Sequence, residues 1–325
     1  MDGVIRAAER IYDRMARVCY SCASWKAHAL NPKVADERAV DWIFVVDTLN
    51  FSFFSDLKDE DRQYAVTLDG VQYKGYWSLC ACINRALREG IPITDPKYYA
   101  GITSSALAYI FRQDEGREPI PLLEDRVKVL REAGQVLLDR FGGSFTNCIK
   151  ECQGSAMRLL DLVTSNIGSY QDEHEFCGRT VYIYKRAQIL ISDLWACFEG
   201  RGLGCFSDID EITMFADYRI PQALSHFGIL EYSPSLMERL HDDRVENASA
   251  GTGAYLPSGH QLEVEIRGNS IWSVELLRRE ILHRNPCSKL HINSILLDFY
   301  IWDYAKAHTG EMAGIPIHRT RSIFY

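Results

Sequence analysis

The stretch Pro121-Leu-Leu-Glu-Asp-Arg-Val-Lys-Val-Leu-Arg-Glu-Ala-Gly-Gln-Val-Leu-Leu-Asp-Arg-Phe141-Gly-Gly143 decides the class of fold. Leu123, Val127, Leu130, Gly134, Leu137 and Phe141 recur three or four places apart, the spacing that lines one face of an α-helix. Gly142-Gly143 then supplies the C-cap that ends it. The same period returns in Ile271 to Leu282 and in Asn293 to Ala307, where Asn293 or Ser294 caps the N-terminus. It returns again in Tyr184 to Phe198, stopped by Gly200 and Gly202. One strand signal interrupts the helices. Tyr64-Ala-Val-Thr-Leu-Asp-Gly-Val-Gln-Tyr73 sets Asp69-Gly70 between two β-rich runs, a hairpin pattern. The expected fold is mainly α, with a small β-hairpin.

The chain has 325 residues, long enough for two domains at roughly 150 residues each. No repeat, low-complexity block or linker divides it, and Asn247 to His260 reads as a surface loop between helices. One domain over 1–325 is therefore expected, with residues 1–24 as an N-terminal helical extension. Lys plus Arg is 36 and Asp plus Glu is 44, so the net charge is −8. With 47% apolar and 25% charged residues, the balance is that of a folded globular protein. It excludes a disordered chain and any grip on nucleic acid through overall basicity. No apolar run approaches the ~18 residues of a membrane helix, and Met1 to Arg10 contains no signal-peptide core. A soluble, cytoplasmic protein is expected. The ten cysteines fit a reducing compartment as small buried hydrophobes. Cys19-x-x-Cys22 has no second ligand pair, so neither metal nor cofactor is expected.

Two constellations stand out as chemistry. Ile295-Leu-Leu-Asp298-Phe299-Tyr-Ile-Trp302-Asp303-Tyr304 sets two carboxylates in an otherwise apolar and aromatic run. At ~100° per residue they point about 140° apart, so a core helix cannot turn both to water. Buried carboxylates need partners, either an Arg or helix cap nearby or a ligand's N–H groups. In Thr213-Met-Phe215-Ala-Asp217-Tyr218-Arg219-Ile-Pro221, Asp217 stands between aromatic residues. It reads either as an ordinary Asp–Arg pair at a helix start or as the carboxylate of a glycoside-cleaving site. Weaker signals are the glycines 200, 202 and 204, the basic clusters Lys185-Arg186 and His318-Arg319-Thr-Arg321, and the single His28. No G-x-S-x-G, HExxH, P-loop or kinase motif occurs.

Longer motifs give a resemblance. Asp47-Thr-Leu-Asn50-Phe-Ser-Phe53, Gly75-Tyr-Trp77-Ser-Leu, Asn84-Arg85-Ala-Leu, Gly90-Ile-Pro-Ile-Thr94, Phe141-Gly-Gly-Ser-Phe145, Tyr184-Lys-Arg-Ala-Gln188, Ile212-Thr-Met-Phe-Ala-Asp-Tyr-Arg219, Glu263-Val-Glu-Ile-Arg-Gly268 and Asn293-Ser-Ile-Leu-Leu-Asp298 closely resemble the queuosine salvage protein family. The likeness runs from about Trp25 to Tyr325, leaving the first ~20 residues without a clear counterpart. One departure is mild: the family's LNFSFW segment here ends on Phe54. The resemblance implies a helical fold distantly like the helical DNA glycosylases. It also implies an N-glycosylase/hydrolase that releases queuine from queuosine 5′-monophosphate for reinsertion into tRNA. Carried over residue by residue, the catalytic aspartate falls on Asp217. The queuine-contacting positions fall on His28, Phe215, Tyr218, Asp298, Phe299 and Asp303.

Queuine is a 7-deazaguanine with a cyclopentenediol on an aminomethyl arm. One carboxylate can accept from its guanine-like edge and another can complement the cationic amine. Asp298 and Asp303 are expected to divide these tasks, between walls of Phe215, Tyr218 and Phe299. Asp217 is expected to stabilise an oxocarbenium-like ribosyl cation. Lys185 is the first candidate for the 5′-phosphate and Arg186 the second. Two other functions fit the same residues: a glycosylase acting on polymeric nucleic acid, for which the chain carries no basic stripe, and a non-enzymatic queuine carrier.

Overall fold

The computed structural model describes residues 2–241 and 255–325. It has the expected mainly α architecture, with fourteen α-helices and two small antiparallel sheets among the described residues. Helices α1 (Asp2–Arg17), α2 (Ala23–Ala27) and α3 (Glu37–Thr48) precede the hairpin β1 (Val66–Leu68) and β2 (Val71–Tyr73). Six helices follow: α4 (Tyr76–Arg88), α5 (Pro96–Tyr99), α6 (Ser104–Ile110), α7 (Leu123–Arg140), α8 (Phe145–Glu151) and α9 (Ala156–Asn166). A second hairpin, β3 (Glu173–Phe176) and β4 (Arg179–Tyr182), leads into α10 (Lys185–Cys197). The chain continues through α11 (Arg219–His226), α12 (Pro234–His241), α13 (Gln261–Arg284) and α14 (Ser294–Ala307).

The stripe on α7 is buried as its spacing predicts, with Val127, Leu130, Gly134 and Leu137 facing inward. Gly134 is small for a packing reason. A Cβ there would lie 2.8 Å from the ring of Tyr99 on α5. In the first hairpin Asp69 and Gly70 both have positive φ, 53° and 76°, the type I′ geometry that Asp-Gly favours. The second hairpin turns the same way on Cys177 and Gly178.

Helix α10 sets the centre: all of its residues from Lys185 to Cys197 are buried, and it packs on α2, α3 and α9. Its charged members Lys185, Arg186 and Asp193 are therefore interior. Helix α14 lies against α11 and α13, while α1 runs along α13. One hydrophobic cluster joins Ile11 of α1, Val45 of α3, Leu130 of α7, Leu190 of α10 and Leu297 of α14.

Helix α13 extends ten residues ahead of the expected Ile271 start. Its first turns bury Glu263 and Arg267, whose charges are met internally rather than by water. Of the expected loop 247–260, residues 247–254 lie outside the described residues, and the Leu256 N–H donates to the Arg319 carbonyl at 2.9 Å. The basic cluster near the C-terminus is spent locally. His318 is buried against Tyr325, and Arg321 bonds Asp56 and the Phe54 carbonyl. No helix among the described residues is long and apolar enough to cross a membrane.

Candidate active site

A cavity of about 440 Å³ opens between α2, α10 and α14, within the ~300–1,000 Å³ of small-molecule sites. Helix α10 contributes Lys185, Ile189 and Asp193. Helix α14 contributes Asp298, Phe299, Trp302 and Asp303, and the irregular segment leading into α11 brings Phe215 and Asp217. Tyr20, Trp25 and His28 come from α2 and its flanks, with Tyr76 and Trp77 from the first turn of α4.

Asp217, Asp298 and Asp303 share one arrangement. Each has one oxygen fixed by the protein and one that makes no hydrogen bond among the described residues. Asp217 Oδ1 accepts from the backbone N–H groups of Arg219 and Ile220 at 2.7 and 2.8 Å, closing the N-terminus of α11. Asp298 Oδ2 accepts from the Phe215 N–H at 2.9 Å. Asp303 Oδ2 accepts from Tyr20 Oη at 2.6 Å. The carboxylates are thus held before any ligand arrives. Asp298 is only 4% exposed, and burial, reinforced by the charge of Asp217, pushes its pKa well above the usual carboxylate range. Asp303 stands at the exposed rim, where desolvation raises it and the Tyr20 hydroxyl opposes the rise.

Lys185 begins α10 with its backbone N–H on Asp172 Oδ2 at 3.1 Å and its Nζ 3.4 Å from the Asn50 carbonyl. Burial lowers its pKa to about 8, with Asp217 the chief opposing influence. Behind it lies a second carboxyl pair. Burial pushes Asp193 and Asp47 upward, and the charge of Asp193 pushes Asp47 and Asp298 further; hydrogen bonds from Trp25 and Tyr76 oppose the rise at Asp193.

Aromatic rings close the rest. His28 stacks on Trp77 with centroids 3.3 Å apart and planes 11° apart. Its Nδ1 accepts from the Leu30 N–H at 3.3 Å, and burial lowers its pKa, so the ring is neutral with hydrogen on Nε2. Phe215 and Phe299 face each other at 6.0 Å, and Trp302 meets Trp77 edge-on at 6.1 Å.

The cavity therefore gathers His28, Lys185, Phe215, Asp217, Asp298, Phe299 and Asp303. It does not gather Tyr218 or Arg186. Tyr218 turns away to meet Phe54 edge-on at 5.9 Å. Arg186 is buried beneath the site, donating to the carbonyls of Thr48 and Ser169 and lying over the rings of Tyr170 and Phe51. Its guanidinium is committed to backbone and has no path to a ligand. Sequence reasoning missed Asp193, Asn50 and the aromatic set of Tyr20, Trp25, Trp77 and Trp302. Asp193 carried a readable sign, since it is the one carboxylate in the apolar run Ile189 to Cys197. No three His, Cys, Asp or Glu side chains among the described residues are placed to hold a metal ion.

Known proteins give the same direction. The family model described as "Queuosine salvage protein" matches residues 30–325. A Mus musculus protein named queuosine 5′-phosphate N-glycosylase/hydrolase is 48% identical over 328 residues, covering 100% of this chain and 93% of its own. A Schizosaccharomyces pombe protein of the same name is 38% identical, covering 99% of this chain and 93% of its own. One from Sphaerobacter thermophilus is 40% identical across 89% of this chain and 82% of its own. The full coverage with the mouse protein corrects one expectation: the first ~20 residues do have a counterpart.

Proposed function

Because the chain belongs to the queuosine salvage protein family, we propose that it hydrolyses queuosine 5′-monophosphate to queuine and ribose 5-phosphate. The observation that carries this reading is Asp217, one oxygen pinned by two backbone amides and the other open to the cavity. Breaking the bond between ribose C1′ and the base nitrogen leaves positive charge on the sugar. The open oxygen of Asp217 stabilises that charge, through space or by a bond to C1′. Water then delivers hydroxide to C1′, and its proton completes the base. A 7-deazapurine has carbon in place of N7, so the leaving group is not activated by protonation there. The demand falls on hydrogen bonds to the rest of the base.

Asp298 accepts from the guanine-like edge, and Asp303 complements the cationic arm. Phe215, Phe299 and the His28–Trp77 stack hold the flat ring between them. Lys185 lies on the ribose–phosphate side, where its ammonium adds positive charge beside Asp217. The enzyme works as one domain on a free nucleotide in the cytoplasm, without a cofactor and without polymeric nucleic acid.

The test is product analysis by mass spectrometry on queuosine 5′-monophosphate, queuosine, GMP and intact queuosine-containing tRNA. Queuine and ribose 5-phosphate are expected from the first substrate. Abasic sites in tRNA would replace this reading with a nucleic-acid glycosylase. Tight queuine binding without any product would replace it with a carrier.

A further inference from the structure

Every backbone carbonyl from Thr48 to Ser52 accepts from a buried cation. Arg186 donates to Thr48, Arg126 donates to Leu49, Phe51 and Ser52, and Lys185 Nζ lies 3.4 Å from the Asn50 carbonyl. Both guanidiniums are buried, and among the described residues they bond only carbonyl oxygens. Burying a cation without a counter-ion is costly, so the shape of this short segment is maintained against a penalty. Of its five residues, Asn50 alone lines the cavity.

The Asn50 amide is oriented as well as placed. Its Nδ2 is 3.4 Å from Oδ1 of Asp47, which is fully buried at the end of α3, so the nitrogen points into the protein. Asn50 Oδ1 accepts from nothing among the described residues. It is not enclosed either, in contrast to the orphaned Oδ2 of Asp47, so the surface it keeps borders the cavity. An open amide oxygen at a cavity wall is a place for a donor. Asn50 also shares an end of the cavity with Asp217. Lys185 Nζ touches the Asn50 carbonyl, and the Lys185 N–H is joined to the Ala216 carbonyl through Asp172 and Arg267. The ribose occupies this end when its C1′ faces Asp217, and its hydroxyls are the donors available there.

We propose that Asn50 Oδ1 accepts from the ribose 2′-hydroxyl and makes the enzyme selective for ribonucleotides over 2′-deoxyribonucleotides. This rests on the nucleotide-hydrolase reading of the same cavity. The 2′-hydroxyl stands on the carbon bonded to C1′. As positive charge grows at C1′ that hydroxyl becomes a stronger donor, and a hydrogen bond to it tightens in the transition state. Such a bond raises kcat more than it lowers KM.

The experiment measures kcat and KM for queuosine 5′-monophosphate and its 2′-deoxy and 3′-deoxy counterparts, in the full-length protein and in Asn50→Ala. Asn50→Leu, which fills the same volume without an acceptor, is measured beside it, and circular dichroism checks that each variant is folded. The ratio of kcat/KM for the ribonucleotide over the 2′-deoxynucleotide should fall at least tenfold in both variants, mostly through kcat. The ratio over the 3′-deoxynucleotide should stay within twofold. Each ratio is compared between proteins for the same pair of substrates, so the intrinsic lability of deoxyribosyl bonds cancels. A 2′-deoxy ratio within twofold of the original in either folded variant would overturn the proposal, as would equal losses on all three substrates. A fall confined to the 3′-deoxy ratio would overturn it too, by assigning Asn50 to the other hydroxyl. If the unmodified protein cleaves none of the three, the nucleotide reading itself falls, and this proposal with it.

Discussion

Arg267 donates to both oxygens of Asp172, at 2.9 and 2.6 Å, and this buried pair ties together the two segments that carry Lys185 and Asp217. Asp172 Oδ2 also receives the Lys185 N–H, and Arg267 Nε donates to the carbonyl of Ala216, next to Asp217. One ion pair thus positions a cation and a carboxylate of the cavity without touching a ligand.

Removing Arg267 leaves the buried Asp172 carboxylate with only the Lys185 N–H and the His174 ring as partners and no guanidinium against its charge. Arg267→Met should therefore cost about 3–5 kcal/mol at neutral pH, measured by denaturant unfolding. The pair holds the Asp172 pKa far below the usual range. A depressed carboxylate adds stability that is complete above its unfolded pKa of about 3.9 and disappears as pH falls toward the folded value. The gap between original and variant should accordingly narrow on acidification from pH 5 downward. A gap that is constant with pH would show that the pair is not what Arg267 contributes.

Asp217→Asn should preserve the fold and abolish most turnover. An asparagine oxygen can still accept from the Arg219 and Ile220 amides, while its NH₂ group replaces the open oxygen and carries no charge. The expected loss in kcat is about 10³-fold, with queuine affinity changed little. Single-turnover assays and calorimetric titration with queuine measure the two quantities separately. Near-normal turnover would remove Asp217 from the chemistry.

How much of this was legible depends on what each residue's neighbours in sequence reveal. Helix α7 and the Asp69-Gly70 hairpin could be read because apolar spacing and turn chemistry act locally. The Cys177-Gly178 hairpin could not, since Glu173-His-Glu-Phe176 is too charged to resemble a strand. The first half of α13 hid for a related reason. Glu263 and Arg267 look like surface residues until Asp172, far away in the chain, is seen to pair with one of them. Asp217, Asp298 and Asp303 were visible as carboxylates among aromatics. Lys185 and Arg186 were ranked first and second for one task from sequence, yet adjacent helical positions point about 100° apart. One enters the cavity and the other enters the core.

The pKa of Lys185, lowered to about 8 by burial, predicts an alkaline limb in the pH profile. Its ammonium is charged below that value and lost above it. For the free enzyme, kcat/KM should fall about tenfold per pH unit beyond pH 8. On the acid side Asp298 must ionise, so activity should rise as pH passes its elevated pKa. Lys185→Arg keeps the charge at all accessible pH values and should flatten the alkaline limb while leaving the acid limb in place. An unchanged alkaline limb in Lys185→Arg would assign it to another group.

Asp298 and Asp303 differ in depth, and that difference predicts which part of the base each one holds. The edge donors of a deazaguanine are neutral, so a dry carboxylate gains most from them; Asp298 is the buried one. An ammonium is costly to strip of water, so a partner at the rim serves it better, and Asp303 is exposed. Affinities for queuine and for 7-deazaguanine, which lacks the arm, separate the two roles. Asp298→Asn should weaken both ligands by roughly 10- to 100-fold, the worth of a hydrogen bond to a charged group. Asp303→Asn should weaken queuine by a similar factor and leave 7-deazaguanine nearly unaffected. Equal losses for both ligands in Asp303→Asn would place the rim carboxylate on the edge instead. Depth would then not be what divides the work, and the Tyr20 hydroxyl that anchors Asp303 would be orienting it toward the ring rather than the arm.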